Sequence, residues 1–490
     1  MAGHITTGGR QRRRRLRGLA GLLRRPRTLP ALLVRAGTGC AALAVAAGAV
    51  LAVDALHTRA DVNRMGGTDG PQVEEAAGIY LAINDMDAQV ANMLMLGADR
   101  TFAAERADDQ RRYRAARSVL DSDLQQAADH GGGNTAAARA VVRVLDGSGD
   151  YQAAAARALQ LDDAAHAPAG APPAAAVAQY RTATDMLRGP DGLLASAQAL
   201  IDANNRAMLA DYDARHAALG AAAGWTAGLG GAALLALLAL QVHLARSFGR
   251  ILNPALAAAT AAVLFVLAGG IAWASWTRGD LHRMRHDAFD SVVALSSARA
   301  TAHDANADES RYLLDRGRRA EYEASYLAKE QRLASVGRVP SVDDYRGDYS
   351  GDRAAYLTDH GNRLFGGDLR REVDNITFPG EQRAAVGILN SYQVYIDDDL
   401  RIRQLERAGK VRQAVAFCTD WGSGGSNWAF ARLDGALRAD LAINRGVFES
   451  TAAHGASAAT ALAPAVAGAA LLAAVLVPVG LRPRLREFEG

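Results

Sequence analysis

Residues 218–241 read Ala-Leu-Gly-Ala-Ala-Ala-Gly-Trp-Thr-Ala-Gly-Leu-Gly-Gly-Ala-Ala-Leu-Leu-Ala-Leu-Leu-Ala-Leu-Gln, without one charged side chain. A bilayer core is crossed by about 20 consecutive apolar residues in helical conformation, so this stretch predicts a membrane span. Working outward, residues 242–256 hold Arg246 and Arg250 and no acid. A second uncharged stretch follows at 257–277 and a third lies at 458–480; an Ala-rich stretch at 34–53 carries a single charge, Arg35. Four spans result. The mean hydropathy of −0.05 and net charge of +3 are therefore averages over unlike segments.

Charge sets the expected direction of the spans. Segment 1–33 and the first span together hold ten arginines and no acid, and the tail 481–490 carries Arg482, Arg484 and Arg486. Short arginine-rich segments beside spans stay in the cytoplasm. All three basic pieces then lie on one side, giving a cell-membrane protein with both termini cytoplasmic, and segments 54–217 and 278–457 outside. Trp225, Trp273 and Trp276 fall near the outer ends of the middle spans, where an aromatic belt is expected. A cleaved signal peptide is the alternative reading of the first span. Arg12, Arg13, Arg14, Arg15, Arg24 and Arg25 form an acid-free run that suits anionic lipid headgroups.

Both outer segments have the length of a domain with its own core, and their periodicity is helical. Ile79, Ile83, Met86, Val90 and Met93 or Leu94 recur at alternating steps of four and three. Leu194, Ile201 and Met208 repeat the pattern, as do Leu281, Met284, Ala288, Val292 and Leu295, and Ile388, Tyr392, Tyr395 and Ile402. Expected breaks are Gly66-Gly67 with Gly70-Pro71, Gly131–Asn134, Ala167–Pro173, Pro340–Asp352 and Trp421–Asn427. No alternating strand pattern occurs. The fold class is all-α: four transmembrane helices and two extracytoplasmic antiparallel helix bundles.

Chemistry-bearing motifs are sparse. There is no phosphate-binding loop, no dinucleotide fingerprint and no zinc-spaced cysteine pair. With Cys40 in a span and Cys418 outside, no intrachain disulfide is expected. His282, His286 and Asp290 could meet on one helix face, but Arg283 and Arg285 crowd the same turns, and a solvated face is the expectation. Arg111, Arg112, Arg114 and Arg117 are flanked by Asp108, Asp109, Asp121 and Asp123. They read as a salt-bridged surface rather than a nucleic-acid interface. The middle spans lack the ionisable residues that mark transport pathways. The expectation is a non-enzymatic protein without cofactor or metal, which passes a signal to a cytosolic partner.

The chain also reads as one unit repeated: span, helical segment, span, short basic stub. The stubs are Asn253-Pro254-Ala255-Leu256 and Arg482-Pro483-Arg484-Leu485. Arg246–Leu256 and Leu481–Phe488 resemble the first turn of a HAMP linker, which in chemoreceptors and histidine kinases joins the last span to cytoplasmic signalling helices. Each half thus resembles a chemoreceptor-type input module cut off at its linker. The whole layout, with Arg so dominant that Lys329 and Lys410 are the only lysines, resembles the GlnX family of actinobacteria. That resemblance implies a transducer acting between a glutamate/aspartate-binding lipoprotein and the serine/threonine protein kinase G. It also implies signal transmission through Arg246, Arg250, Pro254, Leu256, Arg482, Pro483 and Leu485. A structural scaffold for envelope or secretion machinery is the competing class.

Overall fold

A computed structural model describes residues 29–130, 135–248, 253–362 and 364–487. Among them the fold is helical, with no strand and one isolated β-bridge, Ser335 to Gly366. In chain order the helices are α1 (Leu29–Arg64), α2 (Gly70–Leu96), α3 (Ala103–His130), α4 (Thr135–Ala165), α5 (Ala174–Arg188) and α6 (Leu193–Phe248). They continue as α7 (Pro254–His282), α8 (Asp290–Leu314), α9 (Arg319–Leu333), α10 (Val342–Thr358) and α11 (Asp368–Asp374). The last are α12 (Glu381–Arg407), α13 (Val411–Cys418) and α14 (Ser426–Arg486). Four helical stretches are long and apolar enough to cross a membrane, so the chain is a multi-pass membrane protein.

The chain divides into two compact units, one of residues up to Arg59, His216–Arg278 and from Ser457 on, the other of Ala60–Arg215 and Gly279–Ala456. The first is the membrane unit. Its core is made of small and branched side chains, among them Cys40, Ala44, Ala233, Leu237, Ala259, Val263, Ala473 and Val477. Small residues let spans approach closely where lipid offers no hydrophobic driving force. Gly48 is the extreme case, since a Cβ there would collide with Ala470 of α14. Trp225 and Trp276 are exposed, as a belt requires, but Trp273 is not. It is buried, and its indole Nε1 donates to Asp54 Oδ2 at 3.2 Å. A buried carboxylate needs a donor, and that need places Trp273 in the packed interior.

The second unit corrects the expectation of two bundles with separate cores. Segments 54–217 and 278–457 contribute to one hydrophobic core: Ile83, Met86, Tyr151 and Tyr180 share a cluster with Tyr312, Leu313, Ile402 and Val415. Its centre is the pair α2 and α8, which pack on each other. Each has twenty buried residues, of 27 in α2 and 25 in α8. Helices buried on nearly every face are central rather than amphipathic surface helices. α3 packs on α2, α9 on α8, and α4 on α5. Trp421 closes the other segment over α3: its Nε1 donates to Asp109 Oδ1 at 3.3 Å, and the Arg112 guanidinium lies 3.3 Å from its ring centroid. A second cluster belongs to residues after 290 alone and is rich in tyrosine, including Tyr326, Tyr345, Tyr349, Tyr356, Tyr392 and Tyr395.

Two expected breaks are helical instead. Around Gly66-Gly67 and Gly70-Pro71 the backbone stays helical as a π segment, Met65–Asp69, leading directly into α2. Pro71 is the second residue of α2 and follows the π segment directly, so the missing N–H falls where the regular helical ladder is already interrupted. Gly66 and Gly70 are small because Ala452 and Phe448 press on them. Within 340–352 the chain forms most of α10, capped by Ser341, whose Oγ accepts from Asp344 N at 3.1 Å. Tyr345, Tyr349 and Tyr356 bury one face of that helix and outweigh its glycines and aspartates. The Ala167–Pro173 loop does break the chain and docks on the end of α2. Ala98 N donates to Ala167 O and Gly170 N to Met95 O. Gly97 holds φ +58° and a Cβ there would lie 2.5 Å from Ala167 O, so only glycine fits. The Gly131–Asn134 break lies outside the described residues.

The repeat is visible in element order. A π segment precedes each central helix, Met65–Asp69 before α2 and Arg283–Phe289 before α8. An Asp-capped 3-10 turn follows each: Asp99 accepts from Thr101 N and Asp315 from Gly317 N.

Candidate functional site

Between α2 and α8 lies a buried ionic cluster. Arg311 of α8 is wholly buried. Its Nε donates to Asp87 Oδ2 at 2.8 Å, and its Nη1 donates to Asp308 Oδ1 at 2.7 Å and Asp304 Oδ1 at 3.3 Å. Asp87 of α2 also accepts the Tyr151 and Tyr180 hydroxyls at 3.0 and 2.9 Å. Lys329 of α9 pairs with Asp308 and, at 2.7 Å, with Asp304. Arg188 stands 3.9 Å from Asp308. Three carboxylates thus meet three cations. Burial raises the Asp308 carboxyl, but Lys329 and Arg311 more than reverse this and hold it below the usual range. Burial and Asp87 keep the Tyr151 hydroxyl protonated well above its ordinary value. The cluster is matched and internal, and it pins the two segments in one register.

Beside this cluster opens a cavity of about 210 Å³. α2 contributes Tyr80, whose hydroxyl donates to Asp304 Oδ2 of the cluster at 3.3 Å. α6 contributes Asp202 and Asn205, α8 contributes Ser297, α9 contributes Arg332, and α11 contributes Arg371. Arg332 Nη2 donates to Ser297 Oγ at 3.0 Å, and Ser297 Oγ donates to Asp368 Oδ2 at 2.8 Å. Arg371 pairs with the same Asp368. Gln198 Nε2 donates to Asp202 Oδ1 at 2.9 Å. Asn205 Oδ1 is buried with no hydrogen-bond partner.

A third group lies near the second π segment. Glu372, Glu381 and Asp440 are buried together, from α11, α12 and α14. Burial, then the Glu372 and Glu381 charges, push the Asp440 carboxyl up to about 8. Asn375 Nδ2 donates to the His286 and Asp287 carbonyls at 2.9 and 3.1 Å, holding the π segment. There His286 Nδ1 lies 3.3 Å from Asp290, which Arg285 also pairs.

The residues singled out from sequence fall as follows. Arg12, Arg13, Arg14, Arg15, Arg24, Arg25 and Arg250 lie outside the described residues. Arg246 is exposed in the last turn of α6. Pro254 opens α7, whereas Pro483 sits inside α14, so the two stubs differ in conformation. The structure nevertheless brings them together: Leu256 is buried in the cluster against which Leu485 packs. Asn253 Nδ2 donates to Gly480 O at 2.7 Å, while its Oδ1 accepts from the Ala255 and Leu256 amides. Arg482 and Pro483 are exposed beside them. Arg111 and Arg112 pair with Asp108, and Arg117 with Asp121. Asn253 belongs to the first stub, whose resemblance assigns it no role, and the ionic cluster and the cavity carry no motif. Polar residues on the core faces of helices were their one sequence sign.

Residues 61–213 match the actinobacterial sensor domain. No curated protein and no solved structure matches the chain. The matched stretch supplies Asp87, Tyr151 and Tyr180 to the ionic cluster and Tyr80, Asp202 and Asn205 to the cavity. Arg311, Lys329, Arg332 and Arg371 lie beyond residue 213. The cluster and the cavity are thus completed by residues that follow the matched stretch.

Proposed function

We propose that the protein is a non-enzymatic transmembrane signal transducer. It receives an extracytoplasmic nutrient cue through a solute-binding lipoprotein and relays it to a cytosolic serine/threonine kinase. The sensor-domain match at 61–213, in a chain with four candidate spans, carries this reading. The arginine-rich segments support cytoplasmic termini, and the resemblance to the GlnX family supports the lipoprotein and the kinase. α1, α6, α7 and α14 each hold residues of both units, which suits transmission by small helix shifts. The packed stubs at Leu256 and Leu485 are the proposed output face. In vivo crosslinking at Arg246 and Arg482 should capture a kinase, and crosslinking from the helical unit a binding lipoprotein. Recovery of envelope or secretion enzymes alone would favour the scaffold class and overturn the proposal. Pro254→Ala and Pro483→Ala should change kinase output while leaving the helical unit's melting unchanged.

A further inference from the structure

The cavity beside the ionic cluster has the chemistry of a ligand site. Its volume of about 210 Å³ is worth roughly seven waters, the scale of a small metabolite. Its polar groups fall into two sets of opposite sign. On α6, Asp202 is exposed and its carboxylate accepts from Gln198, a neutral donor; it forms no ion pair among the described residues, and the Arg206 guanidinium one turn on donates to the Asp202 carbonyl instead. One turn away, Asn205 offers a buried acceptor with nothing to accept. Such an acceptor calls for a donor from a ligand or water. From α9 and α11 come Arg332 and Arg371, both paired to the single carboxylate Asp368. Two guanidiniums on one carboxylate leave one positive charge in excess. Neither arginine is paired to Asp202; their ion pairs go to Asp368.

We propose that this cavity binds a small zwitterion directly. Its ammonium is taken by Asp202 and Asn205 Oδ1, and its carboxylate or sulfonate by Arg332 and Arg371 beside Ser297. An occupant of either single charge would leave one set unanswered; a neutral one would leave both. Bound there, the solute bridges α6, within the sensor-domain match, to α9 and α11 beyond it. It also sits against Tyr80, whose hydroxyl reaches the ionic cluster. The inference rests on the sensing reading and gives it an input of its own besides a docked lipoprotein.

Full-length protein in nanodiscs, titrated with β-alanine, L-serine, glycine betaine and taurine, tests the proposal by thermal shift and calorimetry. Butylammonium and butyrate are the single-charge controls. At least one primary-ammonium zwitterion should raise the melting temperature saturably, and the controls should not. Glycine betaine, lacking an N–H donor for Asn205, should bind at least tenfold more weakly. Asp202→Asn and Arg332→Met alter exposed side chains, and in the second Arg371 and Ser297 still hold the buried Asp368; each should weaken binding at least tenfold with the unliganded melting temperature retained. No stabilisation by any zwitterion, equal binding of a single-charge control, or undiminished binding in both variants would overturn the site. Capture of a lipoprotein and a kinase by crosslinking would stand or fall separately.

Discussion

α2 and α8 occupy equivalent places in the two halves and bury twenty residues each, yet the balance differs: large apolar side chains dominate in α2, and ionisable ones are concentrated in α8. α2 buries Ile79, Ile83, Met86, Val90, Leu94 and Met95. α8 buries Asp304, Asp308, Glu309, Ser310 and Arg311 within about two turns, between Val292 and Leu295 on one side and Leu313 and Leu314 on the other. Apolar burial requires only packing, whereas a buried charge requires a partner in position. The apolar helix could therefore be read alone, while the polar one became a core helix only because Asp87, Lys329 and Arg188 were brought to it.

The comparison predicts a ranking of substitutions. Arg311→Met is expected to have the largest effect, because it leaves Asp87 and Asp308 buried with too little positive charge; breaking such a pair costs about 3–5 kcal/mol. Ile83→Val in α2 should cost about 0.5–1.5 kcal/mol. Denaturant unfolding of the detergent-solubilised chain measures both, and Asp87→Asn added to Arg311→Met should recover part of the loss. If Arg311→Met is milder than Ile83→Val, the contrast between the helices is wrong.

Tyr392→Phe probes the tyrosine-rich core next. It removes the hydroxyl that donates to Glu330 and meets the Tyr345 hydroxyl at 2.6 Å. The expected cost is about 1–3 kcal/mol, read as a lower denaturant midpoint. Tyr180→Phe, whose acceptor Asp87 keeps Arg311 and Tyr151, should cost less.

A pH effect follows from the third group. Asp440 keeps its proton in the folded state up to about 8, and burial first, then Glu381, raises Glu372 as well. Unfolded carboxyls titrate near 4. Below that range both states are protonated and the contribution is fully present. It is lost as pH rises and the unfolded state alone releases protons, until the folded pKa near 8 is passed. The melting temperature should therefore fall between pH 5 and 8.5, and Asp440→Asn should flatten that fall. A slope unchanged in the variant would assign it to other groups. The smallest effect belongs to the surface: Arg117 and Asp121 are exposed and 3.9 Å apart, so Arg117→Ala should cost under about 0.5 kcal/mol.

Much of the scaffold was legible because its signals are local. Uncharged runs mark helices able to cross a membrane, and the Ile79-to-Leu94 seam marks a buried helix, both from spacing alone. Met86 and Met93 pack in the core as that seam implies. The misreadings have a common cause. Glycine and aspartate at 66–70 and 343–352 have low intrinsic helix propensity, which tertiary packing of a few side chains overrides. Lys329 stands out in the sequence only as one of two lysines, and no spacing marks Asp87 or Asp304. Their meeting around Arg311 is not encoded in any spacing.

By itself the sequence determined the helical class, the four membrane-crossing candidates and the distribution of charge, because hydropathy, periodicity and basic clusters act over one or two turns or one bilayer thickness. Tertiary structure alone decided that segments 54–217 and 278–457 share a core, that Trp273 turns inward to Asp54, and that Asp202, Asn205, Arg332 and Arg371 line one cavity. Each of these depends on residues far apart in the chain satisfying one another's charge or hydrogen bonds. Such complementarity exists only once the helices have packed.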